Sequence, residues 1–340
     1  MAIQMKDIAG RAGVSISTVS HVLNNTRPVA KETRDRVLTI AREMNYYRNA
    51  FGRRLARGRA DAVGLIISDI VNPFFPELIR HFETAAVGRN LDTFICTTNY
   101  DAERAEHAVR RMIENRVQGV SIMTSQLNPA LVDELLSAEI PVVRLDGGPV
   151  ARGRSTIHVD YAGGAGEAVQ HLRQLGHTTI GFLAGLQNRV SAVTFRQAIV
   201  DAVRRNRLPE PAIVEGENTF DGGVAAMRTL LAERRDCTAV ICGHDMSALG
   251  AMAAAVQAGL SVPGDISIVG ADDIAFAQYA QPSLTTIRVP RDELGRMAFE
   301  ALDRMIRSKS RRGAAYTLET HLVARASTGE VPVRRARSGR

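Results

Sequence analysis

The sequence predicts a small all-α helix-turn-helix head followed by an α/β body made of two doubly wound parallel-sheet lobes. Three observations lead to this prediction. The chain has 340 residues, which exceeds the size of one ordinary core and allows two or three domains. Its net charge is segregated, because residues 1–60 carry +8, residues 61–330 carry −5 and residues 331–340 carry +4. Helical periodicity in the first segment gives way, from Val63 onward, to short apolar runs that alternate with helical stretches.

Composition places the chain among globular proteins. Hydrophobic residues make up 45% and charged residues 23% of the sequence, which excludes a disordered chain, a collagen-like fibre and a small disulfide scaffold. The three cysteines, Cys96, Cys237 and Cys242, fit buried thiols in a reducing compartment, and Cys237 and Cys242 lack a second pair at zinc-ligand spacing. No apolar run reaches the ~18 residues of a membrane span, and the first residues do not resemble a signal peptide. We therefore expect a cytoplasmic, nucleoid-associated protein with no membrane partner.

The first sixty residues have the pattern of three short helices. The first is predicted over Lys6–Ala12 and ends at Gly13, which adopts positive φ without strain. Ser15 is a suitable N-cap for a second helix over Ile16–Leu23, and a third is predicted over Ala30–Met44. A helix, a glycine turn and a second helix form the unit that reads the DNA major groove. The charge of +8 and the polar face of the second helix favour this interpretation over a plain three-helix bundle.

Several stretches of the sequence resemble one family of bacterial transcription regulators. They are MKDIAGRAGVSISTVSHVLN and VAKETRDRVLTIAREMNYYRNAFGRRLARG in the head, and CGHDMSALGAMAAAVQAGLSVPGDISIVGADD and PSLTTIRVP in the body. Together they resemble the lactose-repressor (LacI/GalR) family as far as about Gly329. The resemblance implies a helix-turn-helix DNA-binding domain over 1–48, a hinge helix or linker over 49–60, an effector-binding and dimerisation domain over 61–329, and a basic disordered tail over 330–340.

The resemblance also implies which side chains of the head read DNA bases. The matching positions are Ile16, Ser17 and His21. Ile16 can contact a thymine methyl group, while Ser17 and His21 can form hydrogen bonds with base edges in the major groove.

Other residues of the head and hinge are expected to contact the DNA backbone or the minor groove. Ser15, Thr18 and Asn24 match positions that hold phosphates, which fixes the register without reading the sequence. Leu55 matches a leucine that wedges into the minor groove from a hinge helix formed on DNA. Gly52 lies inside that helix and costs about 1 kcal/mol relative to alanine, so we expect this hinge to fold less readily than those of relatives.

The body alternates between strand-like and helical segments. We predict strands at Val63–Ser68, Leu91–Thr97, Gly119–Thr124, Val142–Leu145, Thr179–Ala184, Thr238–Cys242 and Ile266–Gly270. We predict helices near Phe74–Gly88, Asp101–Arg116, Pro129–Ala138, Ala162–Leu175, Ser191–Arg205, Gly222–Glu233 and Met246–Ala258. This alternation favours parallel sheets covered by helices, and the length of the body exceeds one core. Two lobes are therefore expected, with a ligand between them at the carboxyl ends of the strands.

The resemblance adds a periplasmic-binding-protein-like arrangement in which the chain crosses between the lobes three times. The crossings match positions near Val159, Arg288 and Thr320. They assign 61–159 and 288–320 to the first lobe and 160–287 and 321–329 to the second.

An effector site between the lobes is a further implication of the resemblance. Its matching positions are Phe74, Phe75, Asp146, Arg196, Phe220, His244 and Asp272. The rings can stack on a sugar or base, the carboxylates can accept hydrogen bonds from hydroxyl groups, and the guanidinium of Arg196 can anchor a polar ligand. His244 stands where relatives often carry asparagine. The loop Leu186–Phe195 is one residue longer than usual, so Asn188, Arg189 and Ser191 stay unassigned.

Each position also has a structural interpretation. Phe74 and Phe75 could staple a helix, and Asp272 could cap a loop. His177 is expected to be structural. We expect the effector to be a sugar, polyol or sugar acid rather than a nucleobase, with no metal and no cofactor.

The combined pattern predicts a homodimeric, ligand-controlled transcription repressor that binds a pseudo-palindromic operator. The C-terminus lacks a leucine heptad after Gly329, which favours a dimer over a tetramer. The sequence has no G-x-S-x-G, H-E-x-x-H or P-loop motif, so no enzyme activity is expected. Two alternatives stay open on the residues alone: a solute-binding receptor without DNA function, and a sugar-metabolising enzyme with a nucleic-acid module.

Overall fold

The computed structural model describes residues 3–24, 26–46, 60–124, 127–187, 189–234, 236–308 and 310–332. The chain divides into two units, Met1–Gly58 and Arg59–Arg340, called here the head and the body. The head contains α1 (Met5–Ala12), α2 (Ile16–Asn24) and α3 (Lys31–Glu43). In chain order the body contains β1 (Ala62–Ile67), α4 (Phe74–Val87), β2 (Asp92–Thr97), α5 (Ala102–Glu114), β3 (Val120–Met123), α6 (Pro129–Ser137), β4 (Val142–Leu145), β5 (Arg154–Asp160), α7 (Tyr161–Gln174), β6 (Ile180–Ala184), α8 (Val190–Arg205), β7 (Ala212–Glu215), α9 (Phe220–Glu233), β8 (Ala239–Cys242), α10 (Asp245–Gln257), β9 (Ser267–Asp272), α11 (Ala275–Tyr279), β10 (Thr285–Arg288), α12 (Arg291–Arg307), β11 (Ala315–Glu319) and β12 (His321–Val323).

The head packs its helices around a small apolar core. Ile8 of α1, Val19 of α2 and Val37 of α3 are fully buried and belong to one cluster. Gly13 ends α1 in the left-handed region at φ 64°, where a side chain would be strained. The Oγ of Ser15 accepts a hydrogen bond from the backbone N–H of Thr18 at 3.1 Å, as an N-cap does. The predicted helix-turn-helix architecture is therefore confirmed.

The first lobe is built on a parallel sheet with strand order β11-β5-β4-β3-β1-β2. Helices α4 and α12 lie together against it, where the rings of Phe82 and Phe299 meet edge to face at 5.6 Å. Gly295 permits the close approach of the two helices, because a Cβ there would lie 2.4 Å from the carbonyl oxygen of Leu78. The two helices thus form one closely packed layer beside the sheet.

The second lobe is built on a sheet with strand order β12-β10-β9-β8-β6-β7. All of its pairings are parallel except that of β12 with β10. Strand β8 has the burial of a central strand, since all four of its residues are buried. The two sheets confirm the predicted body of two doubly wound lobes.

Short connections carry the chain between the two sheets. They lie at residues 160–161, after β5, at residues 289–290, after β10, and at residue 320, between β11 and β12. Thr320 ties two of them together, because its Oγ1 donates to the carbonyl of Asp160 at 2.6 Å and accepts from the N–H of Gly164 at 3.1 Å. These links bring the carboxyl ends of both sheets to one cleft.

Several elements were missed by the sequence pattern. They are the strands β5, β7, β10, β11 and β12 and the helices α11 and α12. Strand β11 lies at a sheet edge and is largely exposed, so it carries no continuous apolar run, while β7, at the edge of the other sheet, is half-buried and only four residues long. Their place in the sheets depends on tertiary pairing rather than on local pattern.

Candidate functional site

Helix α2 of the head presents the predicted DNA-reading side chains. Ile16 is 54% exposed and Ser17 is exposed, while Val19 and Val22 of the same helix are buried. His21 is half-buried, and its Nδ1 lies 2.9 Å from the Oγ1 of Thr26. An apolar surface methyl and polar groups on one helix suit contact with base edges in a groove.

Hydroxyl groups cluster at the N-terminus of α2. The Oγ of Ser15 lies 2.7 Å from the Oγ of Ser17 and 2.8 Å from the Oγ1 of Thr18. A helix N-terminus with neighbouring hydroxyl groups provides donors for a phosphate. The side chain of Asn24 and the whole of Leu55 lie outside the described residues.

A cavity of about 100 Å³ lies between the two lobes of the body. It forms where parallel strands end, since Ser68 follows β1, Asp146 follows β4 and Asp272 ends β9. Five predicted effector residues line it, namely Phe74, Phe75, Asp146, His244 and Asp272. This is the position at which doubly wound folds bind ligands.

Aromatic rings from both lobes form the apolar part of the cavity. The rings of Phe74 and Phe75, which start α4, meet edge to face at 5.3 Å. From the second lobe, the ring of Phe195 lies 5.5 Å from that of Tyr161 and 5.9 Å from that of Phe182. These rings offer a flat apolar face for a small ligand.

Asp146 has an unused acceptor atom in the cavity. Its Oδ1 accepts from the backbone N–H of Val159 at 3.0 Å, while its Oδ2 is buried without a hydrogen-bond partner. Burial raises the pKa of the Asp146 carboxyl, and the N–H of Val159, the charge of His158 and the neighbouring hydroxyl group of Tyr161 oppose this rise. A buried carboxyl oxygen without a partner is unfavourable, so this atom suits a ligand hydroxyl group.

Asp272 is held from two sides. Its Oδ2 lies 2.9 Å from Nδ1 of His244, the residue before α10. Its backbone is in the left-handed region at φ 112°, and its carbonyl accepts from Nη1 of Arg291. The Nε of Arg291 donates to Oε2 of Glu77 at 2.9 Å. Arg291 and Glu77 belong to the first lobe, so this chain of contacts joins the lobes at the cavity.

A further carboxyl group, that of Asp245, lies close to Asp272 and His244. Sequence reasoning missed it. It is fully buried, and it accepts from the Oγ1 of Thr286 at 2.5 Å and from the N–H of Ile274 at 2.8 Å. Burial, with the nearby charge of Asp272, raises the pKa of Asp245 well above its ordinary value. Asp245 therefore anchors the loop that carries Asp272 rather than meeting a ligand.

Two predicted effector residues do not reach the cavity. Arg196 points away from it and pairs with Glu215 at 2.9 Å, with 37% of its side chain exposed. Phe220 starts α9 and is 40% exposed. Successive helix residues are about 100° apart, so Phe195 faces the cavity and its neighbour Arg196 does not.

The arginine of the cavity is instead Arg189, which the sequence left unassigned. It lies just before α8, and its guanidinium stacks over the ring of Tyr100 at 3.7 Å from the ring centre. Tyr100 belongs to the first lobe and Arg189 to the second. In the sequence, Arg189 could have been identified as a basic residue at the start of a predicted helix that follows a buried strand.

Within the described ranges, no group of three or more metal-ligating side chains is placed to hold a metal ion. Among the same residues, no helix is both long and apolar enough to cross a bilayer.

Comparison with known proteins shows that the head and the body each resemble a known protein family. A family described as bacterial regulatory proteins, lacI family, matches residues 4–49, and a periplasmic binding protein-like domain matches residues 169–328. The HTH-type transcriptional repressor PurR of Proteus mirabilis (strain HI4320) is 35% identical over 335 residues, which cover 96% of this chain and 97% of the relative.

Solved structures give a matching result over nearly the whole chain. The lac repressor dimer bound to operator and the anti-inducer ONPF has 28% identity and a TM-score of 0.87, covering 97% of this chain and 100% of that one. A complex of the transcriptional regulator CelR with cellobiose has 28% identity and a TM-score of 0.72, covering 96% of this chain and 99% of that one.

Proposed function

Because this chain belongs to the lacI family of bacterial regulatory proteins, we propose that α2 reads an operator while the interlobe cavity binds the controlling effector. The protein is a ligand-responsive, DNA-binding transcriptional regulator of the repressor type, and it is not an enzyme. It binds operator DNA as a dimer. The solute-receptor alternative is not favoured, because the matched head is a DNA-binding domain.

In the proposed operator complex, Ile16, Ser17 and His21 contact bases. Ile16 and Ser17 are exposed and His21 is half-buried, whereas Val19 and Val22 of the same helix are buried, which supports this assignment. Ser15 and Thr18 contact phosphates, supported by the hydroxyl cluster at the N-terminus of α2. Asn24 is proposed as a further phosphate contact and Leu55 as the minor-groove wedge, both on the family resemblance alone.

The proposed effector is a sugar, polyol or sugar acid, and the regulated genes serve the catabolism of such compounds. The observation that carries this proposal is the cavity itself, where aromatic rings stand beside the unpartnered Oδ2 of Asp146 and the carboxylate of Asp272. Ring faces and carboxylates together suit a compound with both C–H faces and hydroxyl groups. The CelR neighbour was solved with cellobiose, a sugar, which supports the same class.

Effector binding is proposed to act on DNA through the angle between the lobes. The cavity is lined by both lobes, so a ligand that bridges them favours one mutual angle over another. Any change of operator affinity on effector binding is matched by an equal change of effector affinity on operator binding.

Operator selection in the presence of candidate effectors tests this function. The full chain is incubated with a randomised duplex library, with and without sugars, polyols, sugar acids and nucleobases. We expect a palindromic sequence whose binding weakens with added salt and responds to one ligand class. An Asp272→Asn variant should keep apo operator binding and lose the response, while Asp292→Asn, on the exposed surface of α12, should keep both. Enrichment of no palindrome under any condition would contradict the proposal.

A further inference from the structure

One face of the first-lobe sheet carries a group of polar side chains that the effector cavity does not use. Arg144 lies on β4, and Arg154 and Thr156 lie on β5. The strand register places Thr156 opposite Arg144, and it places Arg154 opposite Val142. Residues of one strand alternate between faces, so all three share the face on which Val142 belongs to the apolar cluster beneath α5 and α6. These three residues, called here the arginine cluster, do not line the interlobe cavity.

Arg144 is a buried cation without an ion pair. It is 9% exposed, and its Nε is buried without a hydrogen-bond partner. The backbone of Gly147 packs against the guanidinium, since a Cβ at Gly147 would lie 2.5 Å from that Nε. The charge of Asp133 on α6 acts on Arg144, but within the described ranges no carboxylate forms an ion pair with it. A buried charge without a partner is unfavourable, and a bound anion would relieve this cost.

The other two members of the arginine cluster also lack partners. Arg154 is half-buried, and its Nε is buried without a hydrogen-bond partner. Burial and the positive charge of Arg154 lower the pKa of Arg144, and the charge of Asp133 opposes this only in part. Thr156 is 1% exposed, and its Oγ1 has no hydrogen-bond partner. Two like charges and a hydroxyl group on one sheet face are therefore all without an acceptor.

The surface beside the arginine cluster repeats this excess of positive charge. Arg152 and Arg312, both exposed, lie directly opposite each other in an isolated antiparallel bridge. Like charges placed directly opposite in this way destabilise a sheet, and no carboxylate in the described part of the chain pairs with either residue. Arginines elsewhere in the lobe differ, because Arg291, Arg296 and Arg307 of α12 each pair with an acid at 2.9 or 3.0 Å.

We propose that the arginine cluster binds a phosphate group, held by the guanidinium groups of Arg144 and Arg154 with the hydroxyl group of Thr156 as a further donor. A guanidinium presents two parallel N–H groups that match two oxygens of a phosphate, and two guanidinium groups balance its two negative charges. The exposed Arg152 and Arg312 attract the anion from solution. This second ligand site is separate from the effector cavity and does not depend on the identity of the effector.

Urea unfolding of the wild-type full chain in different anions tests the proposal. Sodium phosphate, sodium acetate and sodium chloride are compared at equal ionic strength and pH in one organic buffer, and titration calorimetry with phosphate gives the Kd. A ligand that binds the folded state raises the unfolding midpoint in a saturable way. We expect such a rise with phosphate beyond that in chloride or acetate. No rise beyond that in chloride would overturn the proposal.

Methionine variants assign the effect to the arginine cluster. We expect Arg144→Met and Arg154→Met each to weaken phosphate binding about 10- to 100-fold, as for loss of a charge-assisted hydrogen bond. In chloride, both variants should keep or raise the midpoint, because each replaces an unpaired cation by an apolar side chain of similar length. Arg296→Met is the control on α12, 56% exposed and paired with Glu300, and it should keep the phosphate effect in full.

The response to the two anions separates a binding role from a structural one. Side chains that only support the fold would lower the midpoint equally in phosphate and in chloride, and this result overturns the proposal. Loss of the phosphate effect in Arg189→Met, with full retention in Arg154→Met, would place the anion in the interlobe cavity and overturn it as well. If Arg144→Met fails to fold, the half-buried Arg154→Met still decides.

Duplex DNA of arbitrary sequence identifies the source of the phosphate group. If the arginine cluster takes a phosphate of the DNA backbone, Arg154→Met should reduce the slope of log K against log salt concentration by about 1. If it takes free phosphate, that slope stays unchanged while the phosphate titration still distinguishes the variant from wild type. Either result supports the site and assigns its ligand.

Discussion

Replacing Arg291 with methionine is expected to destabilise the body by removing two buried hydrogen bonds. The side chain of Arg291 is 7% exposed and donates to Glu77 and to the carbonyl of Asp272. Leaving a buried acceptor unsatisfied costs about 1–3 kcal/mol. The buried carbonyl of Asp272 would lose its hydrogen bond without replacement and contribute this destabilisation in full. Glu77 is 32% exposed, so hydrogen bonds to water would offset part of its loss. We therefore expect the free energy of unfolding of the body to fall by about 2–4 kcal/mol.

The same variant should weaken effector binding. The backbone of Asp272 is strained at φ 112°, and Arg291 holds it there through the carbonyl. Without that contact the Asp272 carboxylate is positioned by His244 and by the loop that Asp245 anchors. A loss of about tenfold in effector affinity, equivalent to about 1.4 kcal/mol, is the expected size.

Urea unfolding of the full chain, followed by circular dichroism, measures the first effect, and titration calorimetry measures the second. Arg296→Met is the matched control, because Arg296 lies on the same helix and pairs with Glu300 at 3.0 Å with 56% of its side chain exposed. That exposed pair should cost only about 0.3–0.5 kcal/mol. Equal losses of stability and equal effector affinities in the two variants would refute the reasoning.

Two further predictions concern the head and the second lobe. Ser17→Ala or His21→Ala should change the difference in binding free energy between the preferred and other bases at a contacted pair by about 1–3 kcal/mol. Thr18→Ala should weaken binding to all operator sequences alike. Selection profiles identical to wild type for Ser17→Ala and His21→Ala would remove the assignment of these two residues as base contacts. Burial lowers the pKa of His177, whose ring nitrogens lie 2.9 Å from the Oγ1 of Thr238 and 3.0 Å from the carbonyl oxygen of Gly329. The unfolded chain therefore takes up a proton near pH ~6.5 while the folded chain resists it. The free energy of unfolding should fall as pH drops below about 6.5, and a His177→Gln variant should show a smaller fall in the same urea titrations; equal slopes in the two proteins would contradict this.

Local signals in the sequence were enough to predict the head. Gly13 and Ser15 stand two positions apart at a turn, and their roles depend on backbone conformation and on one hydrogen bond to a residue three positions away. Such features are decided within a few residues, so they can be predicted without knowledge of the rest of the chain. His177 was similarly recognised as structural, and it lies in a buried hydrogen-bonded cluster with Ser267 and Gly329.

The effector cavity could be predicted only in part. Phe74, Phe75, Asp146, His244 and Asp272 were positions implied by the family resemblance, and they line the cavity because each lies at the end of a parallel strand or at the start of the next helix. The sequence interpretation chose Arg196 and left Arg189 unassigned, although only Arg189 lines the cavity. An error of one residue in helix phase turns a side chain by about 100°, which is enough to move it from a cavity to the surface.

The sequence by itself determined the alternation of strands and helices in the body, the basic head and the family, because these depend on periodicity, composition and long matched motifs. Only the tertiary structure decided which polar atoms are left without partners. Thr124, Asp146 and Arg189 come from three separate loops, and their unpaired atoms become a common feature only when the two sheets bring those loops to one cleft. Burial and hydrogen-bond satisfaction are properties of the whole packed chain, so no local pattern of residues encodes them.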